Sequence, residues 1–201
     1  PRDRRRAQTT AEILDAAWRL ARRDGLTAIS MRELGREVGL KAQSLYAYFA
    51  SKAALYDAMF RQGQEQLLEA SAHWPADLGA VDDPRAATKQ IMREWAAFCA
   101  ADPVRYQLMF QRVIPDWEPS PESYALAVDR VDDLRRSLAS VGIEGEEAVD
   151  LFTAVFTGIT DQQLSNDPGG DRWLRLIDTA VDMFFDHLRL HGPDRSPGGT
   201  R

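Results

Sequence analysis

The run Gly39-Leu-Lys-Ala-Gln-Ser-Leu-Tyr-Ala-Tyr-Phe-Ala-Ser-Lys52 decides how this chain is read. A glycine at its start permits a sharp turn. A helix is predicted from Lys41 to Tyr48, and it carries little hydrophobic surface. Only Leu45 and Phe49, spaced for one helical face, point inward. Lys41, Ala42, Gln43, Ser44, Tyr46 and Tyr48 are left for the other faces. Small and hydrogen-bonding side chains of this kind suit a helix lying in a DNA major groove, which is wide enough to admit one. Gln43 has the geometry to bond adenine bidentately, Ser44 to reach several base edges, and Ala42 to pack on a thymine methyl.

Upstream, Ser30-Met31-Arg32-Glu33 has the spacing of a capping box. The short helix it opens turns Met31, Leu34 and Val38 inward and stops at Gly39. Two short helices about a tight glycine turn fit the helix-turn-helix. Before them a first helix is expected from about Thr10 to Asp24. Thr9 and Glu12 stand at capping-box spacing, Ile13, Ala17, Leu20 and Ala21 share a face, and Gly25 suits the stop. Downstream, Ser51 caps a longer fourth helix carrying Leu55, Ala58, Met59, Leu67 and Leu68. Lys52, in its first turn, opposes the helix dipole, and a phosphate at that end would reverse the sign. Blander readings stand beside these. Tyr46 also fits a core aromatic, Gln43 and Ser44 fit solvated positions, and Lys52 fits a surface lysine.

Residues 10–60 resemble the TetR family of bacterial regulators. Gly39 to Leu55 matches that family's turn glycine, recognition-helix tyrosine, aromatic, small or polar residue, lysine and leucine without a gap. The resemblance implies that Lys41, Ala42, Gln43 and Ser44 approach bases or phosphates. It implies that Tyr46, Tyr48 and Lys52 bind backbone phosphates, and that Ser30, Met31 and Arg32 approach the backbone too. The chain departs at Gly35 and Val38, where the family usually has alanine. Glycine there costs about 1 kcal/mol of helix propensity, so a looser helix is expected. Met31 stands where a hydroxyl residue often donates to a phosphate, and Arg32 is the substitute.

The rest of the chain extends the helical pattern, giving an all-α fold of about nine helices. Asp83-Pro84, Asp102-Pro103 and Ser120-Pro121 open helices, Gly142 closes one, another runs from about Glu144 to Leu164, and Asp171 opens the last. The expected organisation is a flexible basic arm over 1–8, a helix-turn-helix domain over 9–52, a helical effector-binding and dimerisation domain over 53–191, and a disordered tail over 192–201. The arginines at 2 and 4–6 read as such a tail or as a minor-groove arm. Large side chains in the second domain (Trp95, Phe98, Cys99, Tyr106, Met109, Phe110, Tyr124, Phe152 and Phe156) fit a core. The resemblance implies that they also line a cavity for an apolar or amphipathic effector. The last two helices carry broad apolar stripes. By resemblance they form a four-helix dimer interface, with Val155, Gly158, Ile159, Trp173, Ile177, Val181 and Phe184 as candidates. Glycine at 158 is costly in mid-helix unless another backbone comes close.

Charge agrees with a polyanion partner for one end only. Residues 1–52 hold eleven Lys/Arg against six Asp/Glu, a balance of +5, whereas the remainder stands at −11. No apolar stretch approaches the ~20 residues of a membrane helix, and no signal-peptide core follows the basic start, so a cytoplasmic protein is expected. One cysteine and three scattered histidines argue against a disulfide or metal site. No phosphate loop, nucleophile elbow or catalytic cluster is present, so no enzyme and no cofactor is expected. The expected function is a homodimeric repressor on a palindromic operator, released by a small apolar effector. The alternatives are a ligand-independent DNA-binding protein acting through a protein partner, and activation in place of repression.

Overall fold

The computed structural model describes residues 2–191, with side chains through His187. Pro1 and the predicted tail over 192–201 lie outside the described residues. These form α1 (Arg2–Asp24), α2 (Met31–Glu37), α3 (Ala42–Leu45), α4 (Lys52–Ala70), α5 (Pro84–Ala101), α6 (Pro103–Phe110), α7 (Pro121–Ala139), α8 (Glu146–Asn166) and α9 (Ile177–His191). Short 3₁₀ turns cover Leu26–Ala28, Leu78–Ala80 and Leu174–Leu176, and the described residues contain no strand.

Side-chain caps start several of these helices where their sequences say they should. Ser30 accepts from the Glu33 amide, Ser51 from Ala54, Asp83 from Ala86 and Asp102 from Arg105. The capping box expected at Thr9 does not form. The Thr9 and Thr10 hydroxyls donate back to the Arg5 and Arg6 carbonyls, and α1 continues to Arg2. The stretch read as a flexible arm is therefore helical from Arg2 onward. Physically, Arg2 and Arg4–Arg6 are good helix formers, and Asp3 sits at the favourable end of the dipole.

The chain clusters into two units, Pro1–Ala70 with Asp102–Val128, and Ser71–Ala101 with Asp129 onward. The division does not fall at residue 52. Leu55, Tyr56, Met59 and Phe60 of α4 share one core with Ile13, Ala17 and Leu20 of α1, Leu34 of α2 and Leu45 of α3. In the same unit α6 crosses α4 at Gly63, where a Cβ would stand 2.8 Å from the Met109 sulfur. Asp57 of α4 takes the Ser120 amide at 2.6 Å and the Ser120 and Ser123 hydroxyls, tying α4 to the start of α7.

In the second unit α5, α8 and α9 pack around Met92, Ala96, Phe152, Phe156, Ile177, Val181 and Phe184. Phe152 stacks edge-on to Phe184 at 5.2 Å. Three of the candidate dimer-face residues belong to this core. Ile177 is 1% exposed, and Val181 and Phe184 are also buried, so their apolar area serves the unit's own core. Leu176, just before α9, and Met183 within it are exposed, Met183 at 68%, whereas Ala180 between them is half-buried against the core. On α8 Leu151 is exposed, and Val155, Gly158 and Ile159 are half-buried. No atom lies within 4 Å of where a Cβ on Gly158 would stand, so no backbone of this chain accounts for that glycine. Trp173 is half-buried in the turn before α9, where its amide donates to the buried Gln163.

Candidate nucleic-acid interface

The helix-turn-helix is held by its turn. Gly39 has φ +69°, and the Leu40 amide donates to the Gly35 carbonyl at 2.8 Å. A Cβ on Gly35 would stand 2.7 Å from the Leu40 oxygen and 3.3 Å from the Ala42 nitrogen. Both are backbone atoms with little freedom to retreat. Glycine at 35 thus marks a close crossing of α2 by the entry to α3, where a side chain has no room.

α3 spans only Ala42–Leu45, shorter than the predicted Lys41–Tyr48, and continues as turns over 46–48. Leu45 is fully buried and Phe49 nearly so, anchoring the segment from beneath. Lys41, Gln43, Ser44 and Tyr46 are exposed on its open side, with Ala42 half-buried. Tyr46, 51% exposed, is not a core aromatic. Arg32 is exposed in the first turn of α2, whereas Met31 turns into the core. Ser30 spends its acceptor on the cap and keeps its hydroxyl proton for donation. Arg32 and Lys41 meet no carboxylate among the described residues.

Two expected phosphate ligands are differently engaged. The Lys52 ammonium donates to the Thr27 carbonyl at 2.9 Å and lies 5.4 Å from the Tyr56 ring. Partial burial lowers its pKa. The Tyr56 hydroxyl donates to the Leu26 carbonyl, and burial pushes its pKa up to about 12. Both residues clamp the 3₁₀ turn at Leu26–Ala28, which supplies an internal partner for a lysine that seemed misplaced. Tyr48 is half-buried beneath the Arg6 guanidinium, 5.1 Å from its ring centre. By sequence Arg6 is part of a tail or a minor-groove arm, and Gly35 a departure from the family pattern, so neither stands out as a support of the motif. A glycine inside a short helix was a signal for the second, while nothing local connects Arg6 to a segment 41 positions away.

The residues expected to hold an effector divide between the units. In the first, Tyr106 and Met109 are buried, and Phe110 and Tyr124 are exposed, Tyr124 at 56%. A side chain that open lines no closed cavity within its unit. In the second, Cys99, Phe152 and Phe156 are buried, and Trp95 and Phe98 half-buried. An open groove of about 440 Å³ between α1 and α4, lined by Arg6, Thr10, Leu14 and Gln62 among others, includes none of these nine.

Residues 13–59, spanning α1 to the start of α4, match the family described as bacterial regulatory proteins, tetR family. Residues 13–59 are a TetR-family segment. The segment contains Ser30, Gly35, the Gly39 turn and the whole exposed face of α3. The chain is 33% identical over 147 residues to the HTH-type transcriptional repressor DrrR1 of Streptomyces coeruleorubidus, covering 73% of this chain and 49% of that one. It spans about half the length of the curated relatives it matches. Family and relatives are transcriptional regulators, not enzymes. Solved structures share the fold. A regulatory protein, SCO4313, is 20% identical, with a TM-score of 0.76 over 92% of this chain and 99% of that one. AibR, solved in complex with isovaleryl coenzyme A and operator DNA, is 18% identical, with a TM-score of 0.65 over 87% and 97%. No helix among the described residues is long and apolar enough to cross a membrane.

Proposed function

We propose that this chain is a cytoplasmic TetR-type repressor that binds a palindromic operator as a homodimer and is released by a small apolar or amphipathic effector. The observation that carries the DNA-binding part is the open side of α3. Lys41, Gln43, Ser44 and Tyr46 face outward over a buried Leu45, with the unpaired cation Arg32 on the preceding helix. Lys41 and Arg32 supply phosphate contacts, and Gln43 and Ser44 read base edges. Lys52 keeps two further N–H donors and Tyr48 its hydroxyl for a phosphate, while the contacts described above make both supports of the motif as well.

The dimer is proposed on the outward stripes of α8 and α9. Leu151 on α8, and Leu176 and Met183 just before and on α9, are exposed, and Val155, Gly158, Ile159 and Ala180 beside them are half-buried. Apolar area of this kind is spent when a second copy covers it. The effector reading rests on the density of aromatic side chains in α5 to α8 and is supported by AibR, which binds isovaleryl coenzyme A as well as operator DNA. Release then requires the effector to favour a conformation that misfits the operator.

Selection of duplexes from a random pool tests the reading. A single motif with twofold symmetry is expected, with half-sites about one helical turn apart or more. A purified chain that retains no duplex, even in dilute buffer, defeats it.

A further inference from the structure

A recognition segment this short has weak internal support. α3 closes few backbone hydrogen bonds of its own, and the carbonyls at its far end belong to turns. Such carbonyls carry the negative end of the local dipole and need donors. One donor comes from outside the motif. The Arg6 Nη2 donates to the Ala47 carbonyl at 2.7 Å, and the same guanidinium lies 5.1 Å from the centre of the Tyr48 ring. A planar cation does both at once, bonding in its plane and stacking through its face. Arg6 is itself held firmly. It stands in the second turn of α1, and its carbonyl accepts from the Thr10 hydroxyl at 2.9 Å. The rest of α1 is anchored in the core through Ile13, Ala16 and Ala17.

We propose that Arg6 is a positioning residue for DNA recognition. It fixes the exit of the recognition segment, so that Gln43, Ser44 and Tyr46 meet the duplex at one angle, and it contacts no phosphate itself. The inference rests on the DNA-binding reading above. Its bond to Ala47 and its ring contact separate Arg6 from Arg2, Arg4 and Arg5, although all four are exposed and meet no carboxylate among the described residues. Those three suit the backbone of a flanking duplex, whereas Arg6 is occupied with its own protein. Its loss therefore degrades discrimination and leaves the electrostatic attraction intact.

The test compares the full chain with Arg6→Ala and Arg6→Lys. The probes are a duplex selected from a random pool by the unaltered chain and a scrambled duplex of equal length, each titrated across a salt series. Arg6→Ala is expected to lose about tenfold on the selected duplex and less than about twofold on the scrambled one, with the slope of log affinity against log salt unchanged. Arg6→Lys recovers part of the loss, since an ammonium reaches a carbonyl but does not stack flat. Without DNA, amide exchange at residues 46–49 rises in Arg6→Ala while that of Ile13–Ala21 holds. Equal losses on both duplexes, with a slope smaller by about one, overturn the proposal by making Arg6 a phosphate ligand. Unchanged affinity, or unchanged exchange at 46–49, overturns it as well. If the unaltered chain binds no duplex, the proposed function fails instead, and the exchange measurement still decides the clamp.

Discussion

Basic side chains are used differently at the two ends of this molecule. Each cation of α5 is answered by a carboxylate of α9: Arg85 by Asp182 and Asp186, Lys89 by Asp182, Arg93 by Asp178. In the first 52 residues Arg19, Arg22 and Arg23 are answered too, by Glu37, Asp102 and Asp24 with Glu33. Arg2, Arg4, Arg5, Arg32, Arg36 and Lys41 are not, among the described residues. Exposed ion pairs add little stability, so pairing or leaving a surface cation alone is nearly neutral for the fold. It is not neutral for a polyanion, which gains from every cation without a competing carboxylate. The bulk charge balance gives only the sign of the N-terminal region; the pairing pattern identifies which of its cations are available.

The strongest way to break this comparison is to disturb the frame that presents those cations. Gly35→Val forces a side chain against backbone at Leu40 and Ala42. A loss of about 3 kcal/mol in a thermal or urea melt is expected, with DNA binding abolished. Gly158→Ala, with open space around it, should instead gain about 0.5–1 kcal/mol in a chain kept dilute enough to be monomeric. If both glycines respond alike, close approach is not what separates them.

Next in size is the outward stripe of α9. Met183→Asp should weaken dimer association by about 2 kcal/mol in sedimentation, whereas Val181→Ala should lower the melting temperature with little effect on association. The opposite allocation would return Val181 to the interface. Smaller still, Lys41→Ala and Arg32→Ala should each reduce the salt slope of DNA binding by about one, while Arg85→Ala, already satisfied by aspartates, should leave it unchanged. A reduced slope for Arg85→Ala would erase the distinction between paired and unpaired cations.

The smallest effects are in pH, and at both ends stability rises with pH, in the acid range for one and in the alkaline range for the other. Lys89 and then Arg85 hold Asp182 below its ordinary 3.8. The stability this gives is present above pH 3.8 and is lost as pH falls through the lowered value, so Asp182→Asn should flatten the acid limb of a melting-temperature profile. Burial lowers Lys52, so the unfolded chain holds that proton more tightly. Stability from this group should rise with pH toward 10.5, and Lys52→Met should remove the rise.

Much of the helix-turn-helix was legible because its determinants are local. Ser30 and Ser51 are caps within three residues of the amides they serve, and Leu45 and Phe49 lie one turn apart. The allocation of α9 was not legible. Residues 177, 181 and 184 form one apolar stripe and residues 176, 180 and 183 another, offset by a single position. Periodicity displays both stripes and cannot rank them, because the choice depends on how α5 and α8 approach.

Sequence alone determined the all-helical class, the turn at Gly39 and the polar character of the segment after it, since propensity, capping and spacing act over a few residues. Only the tertiary structure decided that Lys52 supports Thr27, that Arg6 closes the end of the recognition segment, and that Gly35 is a crossing point. Each of these joins groups brought together by chain folding, and a one-dimensional pattern contains no distance between them.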